Sequence, residues 1–178
     1  MHDLTASAAT RAGARAPGFR AAGWWGTEPV DLVRAAAARD PERVALVERG
    51  RSLTYSALDA AVDRAVAALR AEGVDGGDAL LLLVGNDVAS VVAIHAALRA
   101  GALTMVAPTS AGSAQIRDIV AMTEPMMTLA PEPMLPTTVD ERGPTRWVTL
   151  GTVGNAAPDS AARSPGRDPD EPSMVIFT

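Results

Sequence analysis

Few side chains in this 178-residue sequence stand where they could do acid-base or metal chemistry. His95 is a lone imidazole, because no cysteine or second histidine stands at a spacing that would complete a zinc site. It falls on the apolar face of a predicted helix, which favours a packed or partly buried histidine over a catalytic base. Glu72, Asp75 and Asp78 cluster around a Gly-rich turn, where a solvated loop is a better interpretation than a metal site. We therefore predict no catalytic residue and no metal ligand.

Two missing residue types narrow the chemistry further. The sequence contains no cysteine, which excludes disulfides and thiolate catalysis. All 16 basic residues are arginine, which excludes a Schiff base or a P-loop lysine.

The net charge of -5 comes without a basic cluster, which argues against a nucleic-acid surface. The longest apolar run, Ala79 to Val84, is far shorter than the ~20 residues that span a bilayer, so no membrane span is expected.

The elements that must position a site follow an Ala- and Arg-rich segment. Residues 1–26 lack the apolar region of a secretory signal, so a disordered or loosely packed tail is predicted, with an Arg-rich transit peptide as the alternative. Pro29 at a first helical position, with Thr27 as a cap, predicts a helix through Arg39.

A hairpin and a second helix come next. Val44 to Glu48 and Arg51 to Thr54 are predicted to be strands on either side of a tight turn at Arg49-Gly50. Thr54 then caps a helix that ends at Glu72-Gly73. The buried stripe of this helix is predicted from helical spacing to contain Leu58, Val62, Ala65, Val66 and Leu69.

A β-α-β unit follows. The run Ala79 to Val84 is too continuously apolar for a strand with one wet face, so it should be buried on both sides, as in a parallel sheet. Asn86 or Asp87 caps a third helix, Gly101 ends it, and Leu103 to Ala107 returns as a strand. The apolar face of that helix is predicted to comprise Val88, Val91, Val92, His95 and Leu98.

The alternation continues toward the carboxyl end. Ser113 is predicted to cap a helix, Met126 to Ala130 to form a strand, and residues 131–144 to form a loop. Arg146 to Leu150 and Ser173 to Phe177 have the composition of strands separated by a long loop. This pattern predicts an α/β layered domain with a mostly parallel sheet flanked by helices, whose ligands sit at the carboxyl ends of the strands. Four methionines are predicted to fill gaps in the core: Met122, Met126, Met127 and Met134.

Three stretches, in order, resemble the amino-terminal part of the adenylate-forming superfamily. They are "RSLTYSALDAAVDRAVAALRAEGVDGGDALLLLVGND" from residue 51, "AIHAALRAGALTMVAPT" from residue 93, and "DPDEPSMVIFT" from residue 168. The first is similar to the family's Leu-Thr-Tyr, helix, Gly-Val, Gly-Asp and strand pattern. The second resembles its helix that ends in Ala-Gly-Ala before a strand. The third resembles the strand that leads into the family's phosphate loop.

The resemblance implies an ATP-dependent acyl-activating ligase. Such enzymes join a carboxylic acid to ATP with Mg, release pyrophosphate, and pass the acyl group to coenzyme A (CoA) or to the phosphopantetheine of a carrier protein. Thr178 matches the first residue of the phosphate loop and is the one position predicted to contact the nucleotide phosphates. Residues 27–178 are thus expected to be an incomplete amino-terminal α/β part, inactive alone. Its partner would be the missing carboxyl-terminal portion of a cytoplasmic bacterial enzyme.

Two other functions stay open at this point. A non-catalytic α/β partner-binding module, or one half of a split enzyme, would have its last strand completed by a strand from another chain. A nucleotide-binding oxidoreductase domain is disfavoured because the Gly-x-Gly-x-x-Gly fingerprint is missing. The segment "GTVGN" at Gly151 lacks the third glycine, so a turn is predicted there.

Overall fold

The computed structural model describes residues 17–23, 31–136, 143–151 and 173–177. None of the helices in these ranges is long and apolar enough to span a bilayer. A short helix and a hairpin-helix unit precede an alternation of strands and helices. The elements are α1 (17–21 in the described part), α2 (Leu32–Arg39), β1 (Val44–Glu48), β2 (Arg51–Thr54), α3 (Tyr55–Ala71), β3 (Ala79–Val84), α4 (Val88–Arg99), β4 (Leu103–Pro108), α5 (Ser113–Thr123), β5 (Met127–Ala130), a 3-10 turn (Glu132–Met134), β6 (Arg146–Thr149) and β7 (Met174–Ile176).

The hairpin of β1 and β2 forms with the predicted bounds. The two strands pair antiparallel, with Glu48 opposite Arg51 at the turn. Arg49 and Gly50 have φ values of 46° and 78°. Positive φ at both turn residues characterises the type I′ turn, whose twist matches that of the strands it joins.

Five parallel strands form the main sheet, in the order β6-β5-β3-β4-β7. The chain steps from β3 to β4 through α4, and then returns past β3 to β5 after α5. β3 is therefore central, paired on both sides, and its inner residues Leu80 to Leu83 are completely buried. The predicted α/β class, with a parallel sheet flanked by helices, is confirmed.

Each face of the sheet carries its own hydrophobic core. The helices α3 and α4 cover one face, toward which β3 directs Leu80 and Leu82. Among the described helices, α5 alone contributes to the core on the opposite face, toward which β3 directs Leu81 and Leu83. Successive strand residues point to opposite faces, so a strand covered on both sides needs an uninterrupted apolar run. This is why the leucine run of β3 does not alternate with polar residues.

Two helix caps agree with the sequence prediction. The Thr54 hydroxyl accepts a hydrogen bond from the Ala57 N–H at 3.2 Å and starts α3. Asp87, rather than Asn86, caps α4. Gly73 follows the end of α3 with a φ of 85°, a conformation that glycine adopts without steric cost.

Two other predicted helix starts are wrong. The helix α2 begins at Leu32, because the Asp31 carboxylate accepts the Arg34 N–H at 3.0 Å and so occupies the cap position. The predicted start at Pro29 and cap at Thr27 lie outside the described residues. Ser113 is the first residue of α5, and Gly112 precedes it at the cap without a side-chain hydrogen bond.

The buried face of α4 also differs from the predicted one. Val88, Val91, His95 and Leu98, which were predicted to form it, are only half-buried. The small side chains lie closest to the sheet and to α3, because they allow the helix backbone to approach. The fully buried residues of α4 are Ser90, Val92, Ala93, Ala96, Ala97 and Arg99.

The methionine prediction holds for only part of the set. Met127 is completely buried in the α3/α4 core, and Met134 packs against the α5 core. Met122 and Met126 are exposed, so their assignment to the core is wrong. Met122 lies on the solvent side of α5, which buries Ile116, Ile119 and Val120 instead.

The remaining predictions concern loops and the amino-terminal segment. Residues 131–136 contain the 3-10 turn, and residues 137–142 lie outside the described part of the chain. Residues 17–21 are helical, and the rest of the predicted tail is not described. The predicted loop at 151–172, with "GTVGN", is also outside the described residues except for Gly151. Leu150 and Gly151 are helical, so the strand predicted to reach Leu150 ends at Thr149 and the turn predicted at Gly151 is wrong.

Candidate functional site

The carboxyl edge of the sheet has a switch point between β3 and β4. The helix after β3 packs on one face of the sheet and the helix after β4 on the other, so the loops at 85–87 and 109–112 diverge. In open α/β sheets, ligands bind in the crevice that such a divergence creates. The end of β7 joins this edge, because the Phe177 N–H donates to the Val106 carbonyl at 2.8 Å.

The turn after β3 is fixed by side chains that bond back to its own backbone. The Asp87 Oδ1 accepts the Ser90 N–H at 2.7 Å, and the Ser90 Oγ accepts the Gly85 N–H at 2.9 Å. Ser90 is buried, so this short chain of hydrogen bonds is shielded from water. These bonds hold the turn in place at the floor of the crevice.

Close packing within the turn explains the glycine at position 85. The Thr109 N–H donates to the Val84 carbonyl at 2.9 Å, so the two loops leave the sheet side by side before they diverge. A Cβ at Gly85 would come within 3.1 Å of the Asp87 Oδ2 and 3.7 Å of the Thr109 Oγ1. A side chain at Gly85 would therefore displace the Asp87 carboxylate that caps α4.

An open cleft of about 200 Å³ lies between the hairpin and this turn. Its walls are mixed, with apolar side chains beside the carboxylates of Glu48 and Asp87 and the amide of Asn86. The cleft offers apolar contact and negative charge, and neither carboxylate has a neighbouring cation in the lining to form a catalytic pair. The lining residues are Leu46, Val47, Glu48, Gly85, Asn86, Asp87, Val88 and Val91.

The strongest electrostatic feature of the described chain is a buried arginine at the end of α4. The Arg99 side chain is 1% exposed, and its Nε–H donates to the Asp31 Oδ2 at 2.5 Å. Its two terminal nitrogens donate to Asp59 at 2.6 Å and to Asp63 at 2.7 Å. Arg34 pairs with the same two carboxylates of α3. We call these five residues the Arg99 cluster, which joins α2, α3 and α4.

The pKa values follow from this arrangement. Burial raises the pKa of Asp31, but hydrogen bonds from Arg99 and from the Arg34 backbone outweigh it, so the pKa lies below its ordinary value. Burial lowers the pKa of Arg99, and the hydrogen bonds and charges of its aspartates outweigh this and raise it. Burial lowers the pKa of His95; the charge of Asp31 opposes that effect and Arg99 adds to it. The His95 imidazole is therefore harder to protonate than a solvent-exposed one, because its pKa is lowered.

The Arg99 cluster is structural and not part of the crevice. The helix α4 starts at the carboxyl edge of the sheet and runs back, so its last residue lies toward the opposite edge. Sequence reasoning missed this cluster. The available signal was the spacing of Asp59 and Asp63, four residues apart and hence on one side of α3. Arg99 is the only cation in α4, and nothing in the helical pattern indicated which way it points.

The sequence-predicted candidates are not brought together. Thr178 lies outside the described residues. His95 is half-buried on α4, in agreement with the predicted packing role. Asp75 and Asp78 form a hydrogen-bonded turn, in which the Asp75 N–H donates to the Asp78 Oδ2 at 2.7 Å. Glu72 pairs with Arg146 of β6. Among the described residues, no group of three His, Cys, Asp or Glu could hold a metal ion.

A parallel sheet wound on both faces, with a crevice at its switch point, defines the doubly wound α/β class of ligand-binding domains. A comparison with protein families gives the assignment within that class. The family model described as AMP-binding enzyme matches residues 33–178. The chain therefore belongs to the AMP-binding enzyme family, and the resemblance seen in its sequence is confirmed.

Two relatives show which kinds of ligase the sequence is similar to. A salicyl-AMP ligase/salicyl-S-ArCP synthetase of Mycobacterium tuberculosis is 42% identical over 95 residues, which cover 50% of this chain and 17% of that protein. A fatty acid-[acyl-carrier-protein] ligase of Mycobacterium marinum, MmaC, is 31% identical over 154 residues, which cover 80% of this chain and 29% of that protein. The chain thus spans less than a third of the length of these relatives.

Solved structures show the same fold. The amino-terminal subdomain of Klebsiella oxytoca NpsA matches with a TM-score of 0.75 at 16% identity, over 86% of this chain and 39% of that chain. An o-succinylbenzoate CoA synthetase of Bacillus subtilis matches with a TM-score of 0.76 at 20% identity, over 85% of this chain and 31% of that chain. At these identities the likeness concerns the fold alone.

Proposed function

We propose that the chain is the amino-terminal part of an ATP-dependent acyl-activating ligase. In the first half-reaction, a carboxylate oxygen of the acid attacks the α-phosphorus of ATP, giving an acyl-adenylate and pyrophosphate. In the second, a thiol attacks the acyl carbon, giving a thioester and AMP. The observation that carries this proposal is the AMP-binding match over residues 33–178 of a chain with the corresponding sheet.

The names of the relatives support a carboxylic acid as substrate and a thiol as acceptor. One relative is named for salicylate and an aryl carrier protein, and another for fatty acids and an acyl carrier protein. We therefore include aryl and fatty acids as candidate substrates, with a carrier-protein phosphopantetheine or CoA as acceptor. We also assign the enzyme to the bacterial cytoplasm, where ATP and both acceptors are present.

The described residues do not fit ATP or Mg²⁺ by themselves. The chain contains no lysine, and the loop at 85–87 presents the Asp87 carboxylate, which would repel a phosphate. No described group of acids could hold a metal. The described residues therefore supply the rigid floor of the crevice, and we assign no chemical step to them.

Thr178 is the one position that we propose as a contact to the nucleotide phosphates. Its support is the placement of β7, whose residue Phe177 reaches the carboxyl edge beside Val106. In the enzyme translated past Thr178, we expect Thr178→Ala to raise KM for ATP about tenfold, the loss of roughly one hydrogen bond to a charged group. Thr178→Ser should retain wild-type KM. Ser173→Ala, at the other end of the strand, is the control, and an equal effect there would contradict the assignment.

Pyrophosphate release tests the whole proposal. Purified residues 1–178, given ATP, Mg²⁺ and either salicylate or a fatty acid, should release none. The longer protein should show ATP-pyrophosphate exchange with at least one acid. Turnover by residues 1–178 alone would show that the catalytic groups are misplaced. A longer protein without exchange, but with a bound partner, would favour the non-catalytic partner-binding module or split enzyme.

A further inference from the structure

The helix α2 has few apolar contacts with the rest of the described chain. Its eight residues bury one side chain, Val33, which is 4% exposed. The other side chains of the helix are half-buried or exposed, and Leu32 is 70% exposed. Elements with few buried apolar contacts open locally at a lower free energy than the core of a domain. The attachment of α2 therefore depends on the ion pairs at its start.

Two oppositely charged side chains of α2 make these ion pairs. Asp31, at the cap, accepts hydrogen bonds from the Arg99 Nε–H at 2.5 Å and from a terminal nitrogen of Arg99 at 3.1 Å. Arg34, one turn later, has its Nε 3.5 Å from the Asp59 Oδ1. A terminal nitrogen of Arg34 also pairs with Asp63. The negative charge of α2 is thus matched by α4, and the positive charge by α3.

Separating α2 from these helices leaves no buried charge without a partner. The terminal nitrogens of Arg99 also donate to Asp59 at 2.6 Å and to Asp63 at 2.7 Å, so Arg99 keeps two carboxylates of α3. Asp31 and Arg34 are three residues apart, a spacing at which side chains on a helix reach each other. Breaking a buried ion pair is most costly where one charge stays buried and unpaired. Opening α2 is therefore much less costly than unfolding α3 or α4.

The chain that follows α2 is fixed to α3. The Ser56 N–H donates to the Pro41 carbonyl at 3.0 Å, and the Tyr55 N–H donates to the Arg43 carbonyl at 3.0 Å. These are the first two N–H groups of α3, which have no partner within the helix. Residues 41–43 therefore stay in place while α3 is folded. Asp40, where the helical backbone angles end, is the position at which α2 can turn away without moving the hairpin.

We propose that α2 is an electrostatic latch, which opens as a unit around Asp40 while α3, α4 and the sheet stay folded. The ion pairs of Asp31 and Arg34 hold the latch closed, together with Val33. The Arg34 side chain is 42% exposed, so salt screens its pairs and favours the open state. Opening exposes the charged side of α3, with Asp59 and Asp63, to solvent. The outer surface of the α3/α4 layer therefore changes with ionic strength.

Hydrogen-deuterium exchange, followed by mass spectrometry of peptides, measures this opening in the enzyme translated past Thr178. At low salt, about 50 mM NaCl, the hydrogen-bonded amides of α2 should exchange about tenfold or more faster than those of α3 and α4. Raising the salt to about 1 M should accelerate the exchange of α2 about two- to fivefold, the effect of weakening a partly exposed ion pair. The exchange of α3 and α4 should not change.

Arg34→Gln tests the role of the ion pairs, because it removes the charge and keeps much of the side chain. We expect it to accelerate the exchange of α2 about two- to fivefold at low salt and to reduce the dependence on salt. Arg39→Gln is the matched control, since Arg39 is exposed in the last turn of the same helix. It should change neither the rate nor its salt dependence.

Three results would overturn the latch. Exchange of α2 as slow as that of α3 would show that both are released only by global unfolding. Rates graded from one end of α2 to the other, and unaffected by Arg34→Gln, would show fraying of the helix ends. Equal effects of Arg34→Gln and Arg39→Gln would show that the ion pairs with α3 do not hold the helix. No substrate is present in these measurements, so their outcome is independent of pyrophosphate exchange.

Discussion

Replacing Arg99 by methionine tests the physical account of how α2 is held. Arg99→Met keeps most of the side-chain volume and removes a guanidinium that is 1% exposed. It leaves Asp31, Asp59 and Asp63 close together, each between 21% and 28% exposed, with Arg34 as the remaining cation. Breaking one side of a buried ion pair costs about 3–5 kcal/mol, and the partial exposure of the carboxylates places this case at the lower end, about 3 kcal/mol. For a chain of this length that corresponds to a Tm lower by about 6–12 °C.

Urea unfolding followed by circular dichroism measures this loss. Arg117→Met on α5 is the matched control, because Arg117 is exposed and should change stability by no more than about 0.5 kcal/mol. Adding Asp59→Asn and Asp63→Asn to Arg99→Met should recover part of the loss, since the uncompensated negative charge is then removed. If Arg99→Met costs no more than the Arg117 control, the Arg99 cluster does not stabilise the fold and the reasoning is wrong.

Three further predictions concern caps, a turn and pH. Asp87→Ala should lower the free energy of unfolding by about 1 kcal/mol, measured by urea titration, because α4 loses its cap. Gly73→Ala should cost about 1–2 kcal/mol by the same titration, because its φ of 85° is left-handed, whereas Gly112→Ala, at a φ of -68°, should cost less, because only the preference of the cap position for glycine is lost. Stability should fall as the pH drops below 6.5, because folding lowers the pKa of His95 and the unfolded chain binds the proton more readily. The stabilising contribution of Asp31, whose folded pKa is also lowered, is lost only as the pH falls through and below 3.8. In a pH series of urea titrations, His95→Gln should therefore remove the loss of stability that starts below pH 6.5 and leave the loss at lower pH unchanged.

Local sequence patterns were sufficient to predict most of the strands. The run Ala79 to Val84 identified a strand buried on both faces, and the hairpin bounds were recovered from its two-residue turn. The order of the strands was not predictable in the same way. It depends on which neighbour each strand finds after a crossover, as when β5 returns past β3. That choice is made by packing across the domain and leaves no periodicity in the sequence.

The buried faces of the helices and the geometry of the candidate site also depend on packing that local sequence patterns do not record. Hydrophobicity placed valines and a leucine on the inner face of α4, whereas the distance between α4 and the sheet selects alanine and serine. The buried position of Arg99 depends on aspartates from two other helices, one of them 68 residues away in sequence. A ligand site at the carboxyl ends of the strands was expected from the α/β class, but the switch point between β3 and β4 and the bond between the Thr109 N–H and the Val84 carbonyl required the folded chain.

The alanine-rich inner face of α4 sets how this domain can diversify. Because methyl groups fill that contact, any larger residue overpacks it, and any polar one loses water without gaining a partner. Neutral drift should therefore accumulate on the half-buried side, around Val91 and Leu98, while Ala93, Ala96 and Ala97 resist replacement. A mutagenesis library built to stabilise the domain gains most by sparing that face and varying α2 outside Arg34 and Val33, the one buried residue of that helix.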